Sequence, residues 1–472
     1  MIEVGDLKMS SKFRSKLVLS AFILAGLFVF AESADAQNRR NEKRARDLAT
    51  QGDKEFRQKN YRVAIDSYAQ AIALAPKAGH PRFWKGLAHA YLNEPDMALP
   101  EFDAALVNGY NRPLDVYSTR WRIYFQRKDL DRALADVQSG LKLEPENQEF
   151  LLAQGDISLE KGSFAEALAA YQKYVLKNQS NSDVYFNIAR SHQGLGNFAE
   201  QTAAAEDALR RGTRFVADAH IIVGDGYERQ MKFPQAVEAF KRALTARPDA
   251  YEPYRRLAEG YRALAKFDDA IETSLKALRI FPTDGAIYTD ISWYYSLNDQ
   301  HKEAVEAAQA GIRYLPESQM AYTNLCRAYN DLKRHDLAVN ACNTALKIKP
   351  DDGESLFYLA RATKALGKTA DAARLTKRAI VGLESFTLGN PTYSDGYYLL
   401  GGAYYDDGQK EKALTAYERS LQLSPNFVKA LYNVGIVYLI DGKKDRALTY
   451  QKRLEMLSPK YAKMLLDEIN AA

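Results

Sequence analysis

The two cysteines, Cys326 and Cys342, are the residues whose chemistry is easiest to name. They are the only cysteines among 472 residues and stand sixteen positions apart. An even number of cysteines permits one disulfide without requiring it, whereas two buried thiols would act as small hydrophobic side chains. A catalytic thiol is a third and weaker hypothesis, because the nearby histidine, His335, falls in a turn between elements. The elements that carry the two cysteines decide between these readings.

Other residue patterns that perform chemistry are missing from the sequence. The six histidines are scattered, and no two of them stand four residues apart. The sequence contains no C-x-x-C pair, no phosphate-binding G-x-x-x-x-G-K and no G-x-S-x-G nucleophile motif. It therefore predicts no catalytic site, no metal site and no cofactor, and we expect a protein that is not an enzyme.

A tandem repeat occupies most of the chain. A small residue, usually alanine, is followed four positions later by a larger or aromatic one, in a register that is spaced by 34 or 35 residues with one gap of 41. Such regularity is typical of a repeat array. The register consists of Ala64, Ala98, Ala133, Ala167, Gln201, Ala236, Ala270, Ala304, Ala338, Ala372, Ala413 and Ala447.

Each repeat predicts two helices. In residues 251–282, an apolar stripe at helical spacing is followed by a second stripe and then by a helix-stopping proline, Pro282. The first stripe contains Tyr254, Leu257, Ala258 and Tyr261, and the second contains Phe267, Ala270, Ser274 and Ala277.

This pattern resembles the tetratricopeptide repeat. The segments LGGAYYDDGQKEKALTAYERSLQLSP (400–425) and VGDGYERQMKFPQAVEAFKRALTARP (223–248) match its consensus almost completely. The resemblance implies an all-α fold, a right-handed superhelical α-solenoid of stacked helix-turn-helix repeats. We expect about twelve repeats over residues 37–459, an insertion near 381–396 with a loop at Gly389-Asn390-Pro391, and a capping helix over 460–472.

The repeat register places the cysteines on facing helices of one hairpin. Cys326 takes the small position where the first helix crosses the second, and Cys342 follows the crossing Ala338 by four residues. A disulfide there would contribute about 3 kcal/mol in the chain-entropy model and requires Cα atoms within about 7 Å. The disulfide and the pair of buried thiols remain open alternatives.

A binding site is predicted on the first helices, which line the concave face that binds extended peptides or partner helices in the family this chain resembles. Arg361 and Lys364 have no acid at helical distance, and Arg327 has only Asp331 in reach. We therefore predict an anionic or carboxylate-terminated peptide site here, unless these are ordinary solvated charges and repeat tyrosines. The predicted groove also includes Asn324, Asn330, Phe357, Tyr358, Tyr398, Tyr405 and Tyr432.

The N-terminal residues 1–36 predict a cleavable secretory signal. Basic residues precede the apolar run LVLSAFILAGLFVFA (17–31), and Ala34-Asp35-Ala36 offers a cleavage site after Ala36. The rival, a retained anchor, is disfavoured because the run has fifteen residues and a bilayer needs about 20. The sequence leaves open whether Met1 or Met9 is the start. We expect a secreted or periplasmic protein with no stable membrane span after cleavage.

The charge balance completes the functional prediction. The 65 basic and 60 acidic residues are interspersed and give a net charge of +5, which argues against a nucleic-acid partner. We therefore predict an exported, non-catalytic scaffold that binds proteins or peptides in its groove, in a periplasm or cell envelope. One alternative is an accessory subunit of an envelope polysaccharide or export machinery that contacts the polymer. Another is an enzyme hidden in the groove.

Overall fold

The computed structural model describes residues 37–472. The predicted signal and its cleavage site at residues 1–36 lie outside these residues. Over the described part, the regular secondary structure consists of 25 helices and contains no strand. The predicted all-α class is confirmed.

The helices form twelve consecutive pairs followed by one terminal helix. The first helix, α1, covers residues 37–57. The others are α2 (Tyr61–Leu74), α3 (Gly79–Tyr91), α4 (Pro95–Val107), α5 (Pro113–Gln126), α6 (Leu130–Leu143), α7 (Gln148–Glu160), α8 (Phe164–Val175), α9 (Ser182–Leu195), α10 (Phe198–Arg210), α11 (Val216–Arg229), α12 (Phe233–Ala246), α13 (Tyr251–Ala263), α14 (Phe267–Ile280), α15 (Gly285–Leu297), α16 (His301–Tyr314), α17 (Gln319–Asp331), α18 (His335–Ile348), α19 (Gly353–Ala365), α20 (Thr369–Gly389), α21 (Ser394–Asp406), α22 (Lys410–Leu423), α23 (Val428–Ile440), α24 (Lys444–Leu457) and α25 (Pro459–Ala471).

Small residues let the two helices of a pair approach closely. The crossing alanines Ala236 and Ala413 are fully buried. At Gly401, an added Cβ would lie 2.6 Å from a ring atom of Tyr417, so glycine is needed where α21 crosses α22. The repeat register thus follows the geometry of each helical hairpin.

The insertion mainly lengthens a helix, and the loop predicted at Gly389-Asn390-Pro391 lies at its end, with Asn390 and Pro391 in the connection. Helix α20 has 21 residues, whereas the second helices of the neighbouring repeats, α18 and α22, have 14. The seven extra residues extend α20 by about two turns. The connection to α21 is confined to residues 390–393. Gly389, part of the predicted loop, is the last residue of α20.

The chain divides into two compact units. The first ends at Lys177 and contains α1–α8, with Tyr68, Phe102 and Phe150 fully buried. The second covers Asn178–Ala472 and contains α9–α25. Its last helix, α25, buries Leu465 and Ile469, as a helix that covers the end of a repeat array should.

We find no helix in residues 37–472 whose length and apolar character would let it cross a bilayer.

Candidate functional site

The first helices α13 and α15 share a face of the second unit, called its inner face below. Later helices of the same unit partly cover this face. Arg262 on α13 forms a salt bridge of 2.8 Å with Asp395 at the start of α21, 133 residues further along. The indole Nε1 of Trp293 on α15 donates to the same carboxylate at 3.1 Å. The side chains of the ion pair are only 6% and 2% exposed. The start of α21 is therefore fixed against α13 and α15.

A second contact joins the turn after α15 to the end of the chain. The carboxylate of Asp299 accepts from Lys429 Nζ at 2.9 Å, Lys460 Nζ at 2.8 Å and the Tyr461 hydroxyl at 3.0 Å. Lys429 Nζ also donates to the carbonyl of Ser296 at 2.8 Å. Burial alone would raise the pKa of Asp299, but the two lysines lower it to about 2. Helices α23 and α25 are thereby bound to α15.

A pocket of about 830 Å³ remains open beside these contacts. Its lining includes residues of α13, α15 and α17 together with Val381, Leu383 and Phe386 of the lengthened α20. At Gly382, an added Cβ would lie 2.7 Å from the carbonyl oxygen of Asp351, so only glycine lets α20 approach this closely. The lengthened α20 thus supplies apolar side chains to the pocket.

Most charged side chains around the pocket are neutralised within the protein. Seven of them take part in five salt bridges, which are Glu259–Arg255 at 2.7 Å, Arg262–Asp395 at 2.8 Å, Lys349–Asp352 at 3.2 Å, Arg378–Asp351 at 3.5 Å and Glu354–Arg327. Two other lining residues, Asp290 and Lys377, form neither a salt bridge nor a hydrogen bond with any described residue. Asp290 is half-buried on α15, and Lys377 is exposed on α20.

Asp290 has an unusual protonation equilibrium. Burial raises the pKa of its carboxyl, and the negative charge of Glu259 raises it further, to about 7. Arg255 and Arg262 oppose this shift only partly, because both are already paired with other carboxylates. The pocket therefore contains an acid that titrates near neutral pH.

Arg327 is not the free groove cation that the sequence predicted. Its side chain is 4% exposed and pairs with Glu354 on α19, although Asp331 was the expected neighbour. The guanidinium lies 3.4 Å from the ring centroid of Trp293 and 5.1 Å from that of Tyr358. Because it is buried and neutralised, Arg327 cannot offer its charge to an anionic peptide.

Arg361 also pairs with an acid from another helix. Its Nε lies 2.9 Å from Asp406 on α21, and its guanidinium covers the Phe357 ring at 4.4 Å. Lys364 is exposed and forms no salt bridge with the residues described. The structure therefore does not bring Arg327, Arg361 and Lys364 together as unpaired cations, and we do not retain the predicted anionic site.

The other predicted groove residues mainly hold helices together. Asn324 Nδ2 donates to the Thr289 carbonyl at 2.8 Å, and Asn330 Nδ2 donates to the Tyr358 carbonyl at 3.0 Å. Phe357 and Tyr358 are buried. Tyr398, Tyr405 and Tyr432 are partly buried in the core. Of these, Tyr398 packs against Phe427 with a centroid distance of 4.9 Å, and Tyr432 packs against Tyr461 at 5.6 Å.

Cys326 and Cys342 form a disulfide between α17 and α18. Their Cα atoms are 5.2 Å apart, and both side chains are fully buried. The bond joins the two helices of the ninth pair where they cross. A metal centre is not indicated, since no three His, Cys, Asp or Glu side chains within residues 37–472 form a cluster that could hold an ion.

Sequence reasoning overlooked Asp290, Asp299 and Asp395. A signal existed for Asp290, because residues three and four positions away on α15 are Ala286, Ile287, Trp293 and Tyr294, with no cation among them. For the other two aspartates no local signal exists, since the cations that pair with them lie more than 100 residues away.

Comparison with known families decides the identity of the repeat. A tetratricopeptide repeat model matches residues 50–113, 121–183, 186–250, 224–285 and 294–353, and a second TPR repeat model matches residues 401–442. The chain belongs to the tetratricopeptide repeat family. These TPR matches cover more than half of the sequence, and they confirm the resemblance that the alanine register indicated.

Similar proteins share the repeat at low identity. Human RNA polymerase II-associated protein 3 is 26% identical over 200 residues, which are 42% of this TPR chain and 26% of that protein. This TPR chain thus matches about a quarter of the length of that curated relative. A solved structure of the APC/C hetero-tetramer Cut9-Hcn1 is 15% identical with a TM-score of 0.38, covering 90% of this chain and 96% of the other. Yeast Tom70 is 14% identical with a TM-score of 0.36, covering 91% and 95%.

Proposed function

We propose that this TPR protein is an exported, non-catalytic scaffold that binds a segment of another protein in the pocket between α15 and α20. The observation that carries the proposal is an 830 Å³ pocket with an unpaired acid, on a face that the chain otherwise closes by itself. TPR scaffolds mediate protein–protein interactions, so a protein partner is the occupant that the family favours.

The size of the opening favours a short extended segment. Binding pockets for small ligands have volumes of about 300–1,000 Å³, and an α-helix with its side chains is about 10–12 Å wide. The contacts of Asp395 and Asp299 occupy the inner face on which a partner helix would otherwise lie. A few residues of an extended chain fit the remaining space better than a docked helix.

Two observations support export. The basic, apolar and small-residue order of residues 1–36 is typical of a secretory signal. A buried disulfide is typical of proteins that fold in an oxidising compartment. Both features suit a periplasm or another part of the cell envelope.

Site-specific photocrosslinking tests the proposal. A benzophenone side chain placed at Met320, which lines the pocket, should crosslink to a partner in an envelope extract, and the same group at Met456 on exposed α24 should not. Val381→Trp, which fills the pocket from α20, should abolish the Met320 product. The proposal fails if both positions capture the same proteins, if the Val381→Trp variant captures as before, or if Met320 captures nothing.

Contact with an envelope polysaccharide is a second candidate, and one feature of the first unit favours it. Phe56, Tyr61, Trp84 and Tyr91 form an aromatic cluster in which Tyr61 and Tyr91 stack at 5.1 Å and Tyr91 is 62% exposed. Aromatic rings with an apolar face and a polar edge suit amphipathic ligands. Retention of soluble envelope glycan by the chain and its loss in Tyr91→Ala would support this function, and no retention would exclude it.

A further inference from the structure

We infer that the pocket selects a basic side chain, and that a lysine ammonium or an arginine guanidinium of the bound segment pairs with Asp290. This inference rests on the proposed function, since it names the chemistry of the segment that the pocket takes. It reverses the charge preference that the sequence predicted for this face.

The first argument is that none of the described residues pairs a cation with Asp290. The carboxylate lies on α15 without a salt bridge or hydrogen bond to any residue in 37–472. Arg255 on the facing α13 bonds Glu252 and Glu259, each at 2.7 Å, and Arg262 bonds Asp395. A half-buried carboxylate without a partner raises the free energy of the folded protein. A ligand that supplies a positive charge stabilises this carboxylate and should therefore bind more tightly.

The second argument comes from Asn324, which lines the same pocket from α17. Its side chain is fully buried, and its Nδ2 is used by the Thr289 carbonyl at 2.8 Å. This bond fixes the orientation of the amide, and no described group donates to its Oδ1. Asn324 follows Asp290 by 34 residues, so the two occupy equivalent positions on successive first helices. Both groups lack a donor among the described residues, so neither position favours an anionic ligand.

The third argument is the distribution of the remaining charge. An anionic ligand at the same depth would meet Asp290 and Glu259, and like charges at close range repel. The unpaired cation among the lining residues, Lys377, is exposed and lies on another helix, α20. A segment with its basic group beside Asp290 can therefore direct an acidic group or its carboxyl terminus toward Lys377.

Binding should be coupled to the loss of a proton. The charged groups that face Asp290 are Glu259, Arg255 and Arg262 on α13 and Asp284 at the start of α15, while α17 presents the neutral Asn324. Since the pKa of Asp290 is about 7, its carboxyl is mostly protonated at pH 6 and mostly ionised at pH 8. Lysine and arginine stay charged throughout this range. The affinity for a basic segment should therefore rise from pH 6 to pH 8.

A peptide titration tests the inference on the full chain. The probe is a fluorescein-labelled heptapeptide of glycine and serine with one central lysine, compared with versions that carry arginine, norleucine or glutamate. Anisotropy should report binding of the lysine and arginine peptides that strengthens between pH 6 and pH 8, and much weaker binding of the other two. Asp290→Asn should weaken the lysine peptide about tenfold or more, as loss of a hydrogen bond to a charged group predicts, and should remove the pH dependence.

The matched control is Asp445→Asn, which removes the same charge from an exposed position on α24. The affinity of this variant for the lysine peptide should equal that of the unaltered chain. Equal affinities for the lysine and norleucine peptides, or equal losses in both variants, would overturn the inference. Such a result would leave the proposed function standing if Met320 still crosslinks a partner, because that experiment does not depend on the charge of the segment.

Discussion

Two aspartates lie nine residues apart, Asp290 in α15 and Asp299 in the turn that follows it. The pKa values of their carboxyls are shifted in opposite directions. Burial pushes the pKa of both carboxyls upward, and for Asp290 it reaches about 7 because Glu259 adds its charge. For Asp299, two lysines from α23 and α25 reverse the direction and bring the pKa to about 2. The difference shows that distant segments, rather than the local helix, decide whether an acid on this face closes the fold or remains available to a ligand.

The largest expected effect concerns the buried salt bridge between Arg262 and Asp395, which fixes α21 against α13. Arg262→Ala should destabilise the second unit by about 3–5 kcal/mol, because Asp395 would be left as a buried charge without a partner. The denaturant midpoint followed by Trp293 fluorescence measures it. Arg361→Ala is the matched control, since that pair is more exposed, with 44% for the arginine, and should cost less than about 1 kcal/mol. Equal losses of stability in the two variants would contradict the prediction that the buried salt bridge matters more than the exposed one.

The disulfide should give the next largest effect. Helices α17 and α18 lie in the chain between α15 and the helices that return to it, so the Cys326–Cys342 bond stiffens this intervening part. Reduction should lower the stability of the second unit by about 3 kcal/mol in the chain-entropy model. Denaturant midpoints with and without dithiothreitol measure the loss, and the Cys326→Ser/Cys342→Ser variant should not respond to the reductant. An unchanged midpoint in the unaltered chain would contradict this prediction.

Removing the paired acid should have a smaller effect. Asp299→Asn should cost about 2 kcal/mol, because two charge-assisted hydrogen bonds from lysines are weakened. Since the folded pKa is depressed, this stabilisation is present above the unfolded value of about 3.9 and is lost as the pH falls toward 2. Faster amide exchange in α25 would report the loss. Asp467→Asn, an exposed acid on the same helix, serves as the control and should exchange as the unaltered chain does.

The effect at the unpaired acid has the opposite sign, and a rise in pKa from 3.8 to about 7 makes it comparable in size to those above. The folded pKa of Asp290 is raised, so the folded state binds more protons than the unfolded state between about pH 4 and pH 7. The contribution of this carboxyl to stability therefore decreases as the pH rises through that range. Asp290→Asn should remove this trend and give a higher unfolding midpoint than the unaltered chain at pH 8. A lower midpoint at pH 8 would indicate an intramolecular partner for Asp290.

The candidate site was predictable only in part. The repeat register assigned the site residues to the correct helices, since α17 and α19, both first helices, carry Asn324, Asn330, Phe357 and Tyr358. Whether the cations were free could not be predicted, because spacing along one helix reveals only acids three or four residues away. Arg327 takes its acid from a residue 27 positions later and Arg361 from one 45 positions later. Packing between repeats brings these partners together, and spacing within one helix does not reveal it.

The sequence by itself determined the twelve helix pairs, the helix over the last repeat and the facing positions of Cys326 and Cys342. These features follow from contacts within a repeat or between adjacent repeats, which a 34-residue period repeats along the chain. The tertiary structure alone decided that the insertion lengthens α20, that Asp299 and Asp395 hold the later helices, and that Asp290 stays unpaired. Small rotations between successive repeats accumulate over several units, and only their sum places residues 133 to 162 positions apart in contact.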